Sequence, residues 1–159
     1  MLIDKVIHQF GQEESYPVSV PFDPGLKLCH AMSDTITPEE QQKLAKLPYG
    51  SLVSCLLYLA IRTQPDISYA VQQLSQYLNS YSYAHWNATI RIVCYLKGTR
   101  GLKLVLGGTK NISLFGFSDL DWANCLDTRR SVGGYCFSLG SGIISWSAKK
   151  TKNRHHLFM

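Results

Sequence analysis

Apolar residues recur at helical spacing through the first hundred positions of this chain and at strand spacing after them. In LIDKVIHQF, positions 2, 3, 6, 7 and 10 are apolar, which predicts a helix stopped by Gly11. EESYPVSVPFDPGLKL follows, with Pro17, Pro21, Pro24 and Gly25. Proline density excludes helix there and predicts an extended linker or a loop crossing the surface. Thr37, Pro38 and Glu40 then form a helix start: N-cap, first-turn proline, and an acid three residues on. LPYGSLVSCLLYLAIRT continues with apolar residues at 49, 52, 53, 56, 57, 59, 60 and 61. A helix apolar around so much of its girth is expected to be buried or to contact a partner. Pro65 and Asp66 open ISYAVQQLSQYL, and a third helix runs from about Tyr83 to Leu96, ended by Gly98. Short joints make these three helices one compact unit near residues 37–98.

The period changes after Gly101. NISLFGFS, VGGYCFSL and GIISWS are short runs rich in β-branched and aromatic residues, with LKLVL as a candidate fourth strand at the start. Gly140-Ser141 separates the last two runs and predicts a tight hairpin.

Charge sharpens this division. Residues 1–90 carry five Lys/Arg against eight Asp/Glu, and residues 91–159 carry eleven against three. A basic C-terminal half suits a polyanion such as nucleic acid, or is simply a basic solvated surface. The five cysteines make no CxxC pair, so neither a disulfide framework nor a zinc site is expected, and a reducing intracellular setting fits. The opening helix is too charged for a signal peptide, and no apolar run approaches the roughly 20 residues that span a bilayer.

Candidate chemistry is concentrated in FGFSDLDWANCLDTRR (115–130). Asp119 and Asp121 are two apart, which puts both on one face of a strand. Paired carboxylates suit Mg²⁺, and two such ions can drive phosphodiester cleavage, but that centre takes three or four carboxylates. The alternative is a turn role, because Asp readily bonds its own backbone. Arg129 and Arg130 follow in the turn, and Lys149, Lys150, Lys152 and Arg154 form a basic tail; all are candidates for phosphate contact. His155-His156 is a His pair in the same tail.

The ordered series YGSLVSCLLYLA (49–60), PDISYAV (65–71), HW (85–86), YLKGT (95–99), GFSDLDWA (116–123), DTRRSVGGYCF (127–137) and GIISWSAKK (142–150) resembles the end of the Pol polyprotein of copia-type retrotransposons. The resemblance extends from the N-terminal DKVIHQFG and PFDPGLKL to about Lys150. It implies an α+β fold: a helical thumb-like subdomain of a reverse transcriptase, then a three-stranded antiparallel meander forming a partial ribonuclease H-like fold. The implied segments are 1–36 (helix and Pro-rich linker), 37–100 (helical unit), 101–148 (truncated sheet) and 149–159 (basic tail). Helix 49–61 is the implied thumb helix along the minor groove of a primer–template, or else a plain core helix. Asp119 matches the family's first metal ligand, Asp121 the second acid in a supporting role, and Trp122 a packing residue. The implied cofactor is Mg²⁺ and the implied partner an RNA·DNA hybrid.

The departures are as informative. The polymerase palm with its paired aspartates is absent from this text. The family's S-S-T-E-A-E-Y, which supplies the next catalytic Glu, is replaced after Lys150 by TKNRHHLFM, as a frameshift or misread intron would leave it. No acid follows Asp127. Ser54 stands where the family has Gly, Gly50 where it has Arg, and Cys125 where it has an acid. The expectation is a catalytically inactive Pol fragment that at most binds nucleic acid. The alternatives are a Mg²⁺-dependent ribonuclease H completed by a partner chain, and a domesticated interaction module using an exposed sheet edge.

Overall fold

The computed structural model describes residues 2–30, 37–106, 112–121, 127 and 130–151. Five α-helices precede a sheet: α1 (Leu2–Gln9), α2 (Pro38–Ala45), α3 (Tyr49–Arg62), α4 (Ser68–Ser75) and α5 (Tyr83–Thr99), then β1 (Leu114–Asp121), β2 (Val132–Leu139) and β3 (Gly142–Lys150). The architecture is mixed helix and sheet, compatible with the α+β class that the resemblance implies.

α1 buries Ile3, Val6 and Ile7 at i, i+3, i+4 spacing, in the same core as α3, α4 and α5. Gly11 ends it with φ +63°, its N–H bonding His8 O while Gln12 N–H bonds Ile7 O at 2.9 Å. That is a glycine C-cap of the Schellman type. The α2 start is the expected capping box, with Thr37 and Glu40 satisfying each other's backbone N–H.

The first of the three expected helices is two, because Pro48 lacks an N–H and disfavours helical geometry at Leu47. α3 then buries Tyr49, Leu52, Val53, Leu56, Leu59 and Ala60, leaving Tyr58 and Ile61 exposed. Pro65–Ile67 is a 3₁₀ turn leading into α4. α4 is shorter than its apolar pattern, and beyond it Tyr77 turns inward to donate to Leu28 O at 3.0 Å.

Gly98 does not end α5. It lies within the helix, where a Cβ would stand only 3.0 Å from the Cβ of Pro17. The glycine lets the proline-rich segment cross α5 closely. That segment is a surface strap rather than a free linker: Phe22, Leu26 and Leu28 pack on the helical core. The Lys97 ammonium donates to the carbonyls of Glu13 and Ser15. No single helix among the described residues is long and apolar enough to cross a membrane.

The sheet order is β1-β2-β3, antiparallel throughout. Leu139 pairs with Gly142 across the expected hairpin, and Gly140 holds φ +59° in the turn. LKLVL (102–106) is not a strand: Leu102, Val105 and Leu106 are exposed, so the segment has no buried face to impose pairing. It runs beside Gly142 at the start of β3.

The register Cys136↔Trp146, Gly134↔Ala148 and Val132↔Lys150 puts these six residues on one face. β3 meets the helical unit through that face. Trp146 Nε1 donates to Ala60 O at 2.7 Å, satisfying one of the carbonyls that the end of α3 leaves without an intrahelical partner. Lys150 Nζ donates to Gln76 Oε1 at 2.6 Å. The helices therefore cover the β3 side of the sheet, while β1 is exposed from Leu114 to Leu120.

Trp146→Phe keeps an aromatic ring but removes the shorter of two hydrogen bonds to the Ala60 carbonyl, leaving the Ser68 hydroxyl at 3.4 Å. We expect a loss of about 0.5–1.5 kcal/mol in urea unfolding, with limited proteolysis attacking 112–151 before 49–99. Equal resistance to wild type would remove Trp146 from the joint.

Candidate functional site at the strand ends

β1 ends in Asp119 and Asp121, paired across to Gly134 and Val132, so both positions lie on the sheet face that carries Trp146 and Ala148. The Asp119 carboxylate accepts the N–H of Leu120 at 2.9 Å, the local backbone role open to a short acid. Asp119 also lines a cleft of about 540 Å³ between the sheet and the start of α4, with Pro65, Tyr69, Phe117 and Trp146 around it. Asp66 lies on the same cleft wall but takes the Tyr95 hydroxyl at 2.7 Å. Burial, then this carboxylate, push the Tyr95 phenol up to about 12. The side chain of Asp121 and all of Trp122 lie outside the described residues.

Among the described residues no three of His, Cys, Asp and Glu converge as metal ligands. A catalytic Mg²⁺ takes several oxygen ligands, and the described side chains around Asp119 do not supply that set, so the described residues by themselves do not fit the magnesium that the resemblance implies.

The strand pairings bring the basic candidates to the same end of the sheet. Arg130 immediately precedes Ser131 and β2, and Lys149 and Lys150 end β3 opposite Gly133 and Val132. They are not equally available. Lys149 is exposed, Lys150 is tied to Gln76, and Arg130 is half-buried with its Nε enclosed and without a hydrogen-bond partner among the described residues. Arg129, Lys152, Arg154, His155 and His156 lie outside the described residues. Ser54, where the resemblance has Gly, is on the exposed face of α3, and its hydroxyl bonds Gly50 O at 2.7 Å. The substitution leaves the core of α3 untouched.

Sequence reasoning missed a polar joint between the β1–β2 connection and the helices. The Asp127 carboxylate accepts the His30 N–H at 3.1 and 3.2 Å and the Tyr77 hydroxyl at 3.3 Å. The Tyr77 ring lies between two imidazoles, 5.1 Å from His30 and 4.3 Å from His85 by ring centroids. His85 is 2% exposed. Its Nδ1 accepts the Ser82 N–H at 3.1 Å, closing a capping box at the start of α5, so Nε2 carries the proton and has no acceptor among the described residues. Burial first, and the charge of His30 second, push this imidazole down to about 4. His30 and Asp127 are 97 residues apart, and no spacing in the sequence signals their meeting.

Comparison with known proteins adds to the geometry. The chain is 41% identical over 150 residues to the retrovirus-related Pol polyprotein from transposon TNT 1-94 of Nicotiana tabacum, covering 94% of this chain and 11% of that protein. It is 40% identical over 136 residues to the Pol polyprotein from transposon RE2 of Arabidopsis thaliana, covering 86% of this chain and 9% of that protein. A third relative, secreted RxLR effector protein 161 of Plasmopara viticola, is 40% identical over 111 residues, 69% of this chain and 77% of that protein. The chain thus spans about a tenth of the length of these transposon polyproteins. No family model matches the chain, and no solved structure matches it.

The His85 geometry makes stability pH-dependent. The folded state binds a proton on His85 only near pH 4, whereas the unfolded chain binds it near 6.5. Acid therefore favours unfolding: the contribution is complete above about 6.5 and is lost as pH falls toward 4, by up to on the order of 3 kcal/mol. Gln preserves a capping-box partner at this position but does not titrate. His85→Gln should flatten the stability profile between pH 6.5 and 4 in urea titrations. An unchanged slope would locate the acid sensitivity elsewhere.

Proposed function

We propose that the chain, which is similar to retrovirus-related Pol polyproteins of transposons over 86–94% of its own length, is a piece of a copia-type Pol protein. On this reading it spans the end of the reverse transcriptase and the opening strands of a ribonuclease H domain. It is catalytically silent alone and binds an RNA·DNA hybrid weakly.

The observation that carries this reading is the setting of Asp119. The acid ends the first strand of an antiparallel meander, where the family's metal ligand stands in the resemblance, yet its carboxylate is engaged by Leu120 and no sufficient ligand set converges on it among the described residues. The position supports descent from a nuclease sheet, and the missing ligands support inactivity. No step of phosphodiester cleavage is derived from these residues.

Weak hybrid binding draws support from the basic end of the sheet. Lys149 is the exposed cation there, with Arg130 and Lys150 beside it in the pairing order. Asp119 and Asp121 stand at the same end of the sheet, two strands away at positions on the opposite face, and offset part of that field, which limits affinity for phosphate. The thumb reading of α3 draws less support, since its apolar residues are occupied in the core. Its open face carries Gly50, Ser51, Ser54, Tyr58, Ile61 and Arg62, with Arg62 as its one cation.

Purified protein incubated with labelled RNA·DNA hybrid and Mg²⁺ should leave the RNA intact, with Asp119→Asn indistinguishable from wild type. Hybrid binding should weaken with salt at a log–log slope of about −2 to −3, on the order of 0.9 per phosphate contact. Lys149→Ala should make that slope shallower by about 1. Cleavage abolished by Asp119→Asn would overturn inactivity, and salt-independent binding would overturn the phosphate contacts.

A further inference from the structure

The two edges of the sheet differ. β3 ends in Lys149 and Lys150, charged residues of the kind that discourage strand pairing, and its first half runs beside Leu104 and Leu106. β1 carries Asp119 and Asp121 at its end, but in its first half Leu114, Phe115 and Phe117 are exposed and uncharged. The described residues place no strand on its outer edge.

The ladder shows which backbone groups that edge offers. Gly140 N–H bonds Ser113 O at 3.0 Å, so Ser113 and Gly140 are a hydrogen-bonded pair. In an antiparallel ladder such pairs alternate, so odd-numbered residues of β1 direct their backbone groups toward β2. Leu114, Gly116, Ser118 and Leu120 direct theirs outward. Leu120 N–H is already taken by the Asp119 carboxylate. Leu114, Gly116 and Ser118 remain, flanked by apolar side chains: Leu114 is 63% exposed, Phe115 56% and Phe117 69%.

We propose that β1 pairs antiparallel with β1 of a second copy of this chain, about a two-fold axis at Gly116, to form a continuous six-stranded sheet. This register sets Gly116 against Gly116 and Leu114 against Ser118, using the three open positions and excluding Leu120. Phe115 of each copy then stands opposite Phe117 of the other at a non-hydrogen-bonded position, where facing side chains are closest. Two cross-strand aromatic pairs result. The antiparallel direction also carries Asp119 and Asp121 of the two copies to opposite ends, whereas a parallel in-register pair would set like charges side by side. On the other face the Phe137 ring lies over Gly116, so one ring from each copy flanks the axis. At about 200 Å² per large side chain, the exposed parts of Leu114, Phe115, Phe117, Leu120 and Phe137 come to roughly 550 Å² per copy. Complete burial of those parts would give roughly 1,100 Å² for the pair, at the lower bound of about 1,000 Å² for a specific interface.

Sedimentation velocity over a concentration series tests this on the full 159-residue chain. Wild type should pass from monomer to dimer and stop there. In hydrogen exchange, the Gly116 and Ser118 amides should slow as the dimer forms. Ser118→Pro deletes an outward N–H without touching the β1–β2 ladder, and should leave a monomer with unchanged helical circular dichroism. Phe117→Lys replaces an exposed side chain, keeps every backbone bond, and decides the matter if the proline variant fails to fold. Its expected state is also monomeric. A monomeric wild type overturns the proposal, as does a dimer that survives Phe117→Lys. Assembly beyond two copies, or amide exchange that ignores concentration, overturns the two-fold β1 pairing.

Discussion

The hydrogen bond from the Trp146 indole to the Ala60 carbonyl joins the two halves of the molecule. A helix end must leave carbonyls without intrahelical partners, and a half-buried indole must find an acceptor. Each requirement answers the other, at a place where β3 crosses the end of α3. The Lys150–Gln76 contact and the Asp127 bonds to His30 and Tyr77 hold the same joint at other points. A three-stranded meander by itself exposes both faces and is marginal in water. Here one face of β2 and β3 rests against the helical unit, so the sheet shares a core it could not build alone.

That joint also sets the state of the acids. β1 is the strand farthest from the helices, and nothing among the described residues covers its outer edge. Asp119 consequently faces an open cleft and its own backbone rather than a ring of further carboxylates. A hard divalent cation is held by several oxygens converging from different elements. One strand end in a cleft walled by Pro65, Tyr69 and Trp146 does not provide them. The same exposure that leaves Asp119 with only its own backbone for a partner among the described residues leaves the edge of β1 uncovered.

The buried imidazole of His85 shows a different economy. Its Nδ1 completes the N-terminal cap of α5, and this fixes its Nε2 proton where the described residues offer no acceptor. The ring is kept neutral by burial, and its cost is deferred to acid pH. The helical unit therefore carries a pH-sensitive element close to where Asp127 ties the sheet connection to the helices.

Much of the local structure was legible in the sequence because it depends on near neighbours. The α2 capping box, the Gly11 stop, the helical faces of α3 and α5, and the Gly140-Ser141 hairpin all follow from spacing and turn chemistry within a few residues. The acids at the strand end and their shared face were legible for the same reason. What failed were judgements that depend on distant chain: Gly98 reads as a stop but serves a crossing by Pro17, and LKLVL reads as a strand but has no face to bury. The Asp127–His30 contact, the orphaned His85 nitrogen and the Trp146–Ala60 bond were invisible, since each joins residues brought together only by packing. Sequence determines which groups exist and how their neighbours bend the chain. Tertiary structure alone decided which of those groups meet, because convergence across nearly a hundred residues leaves no local period to read.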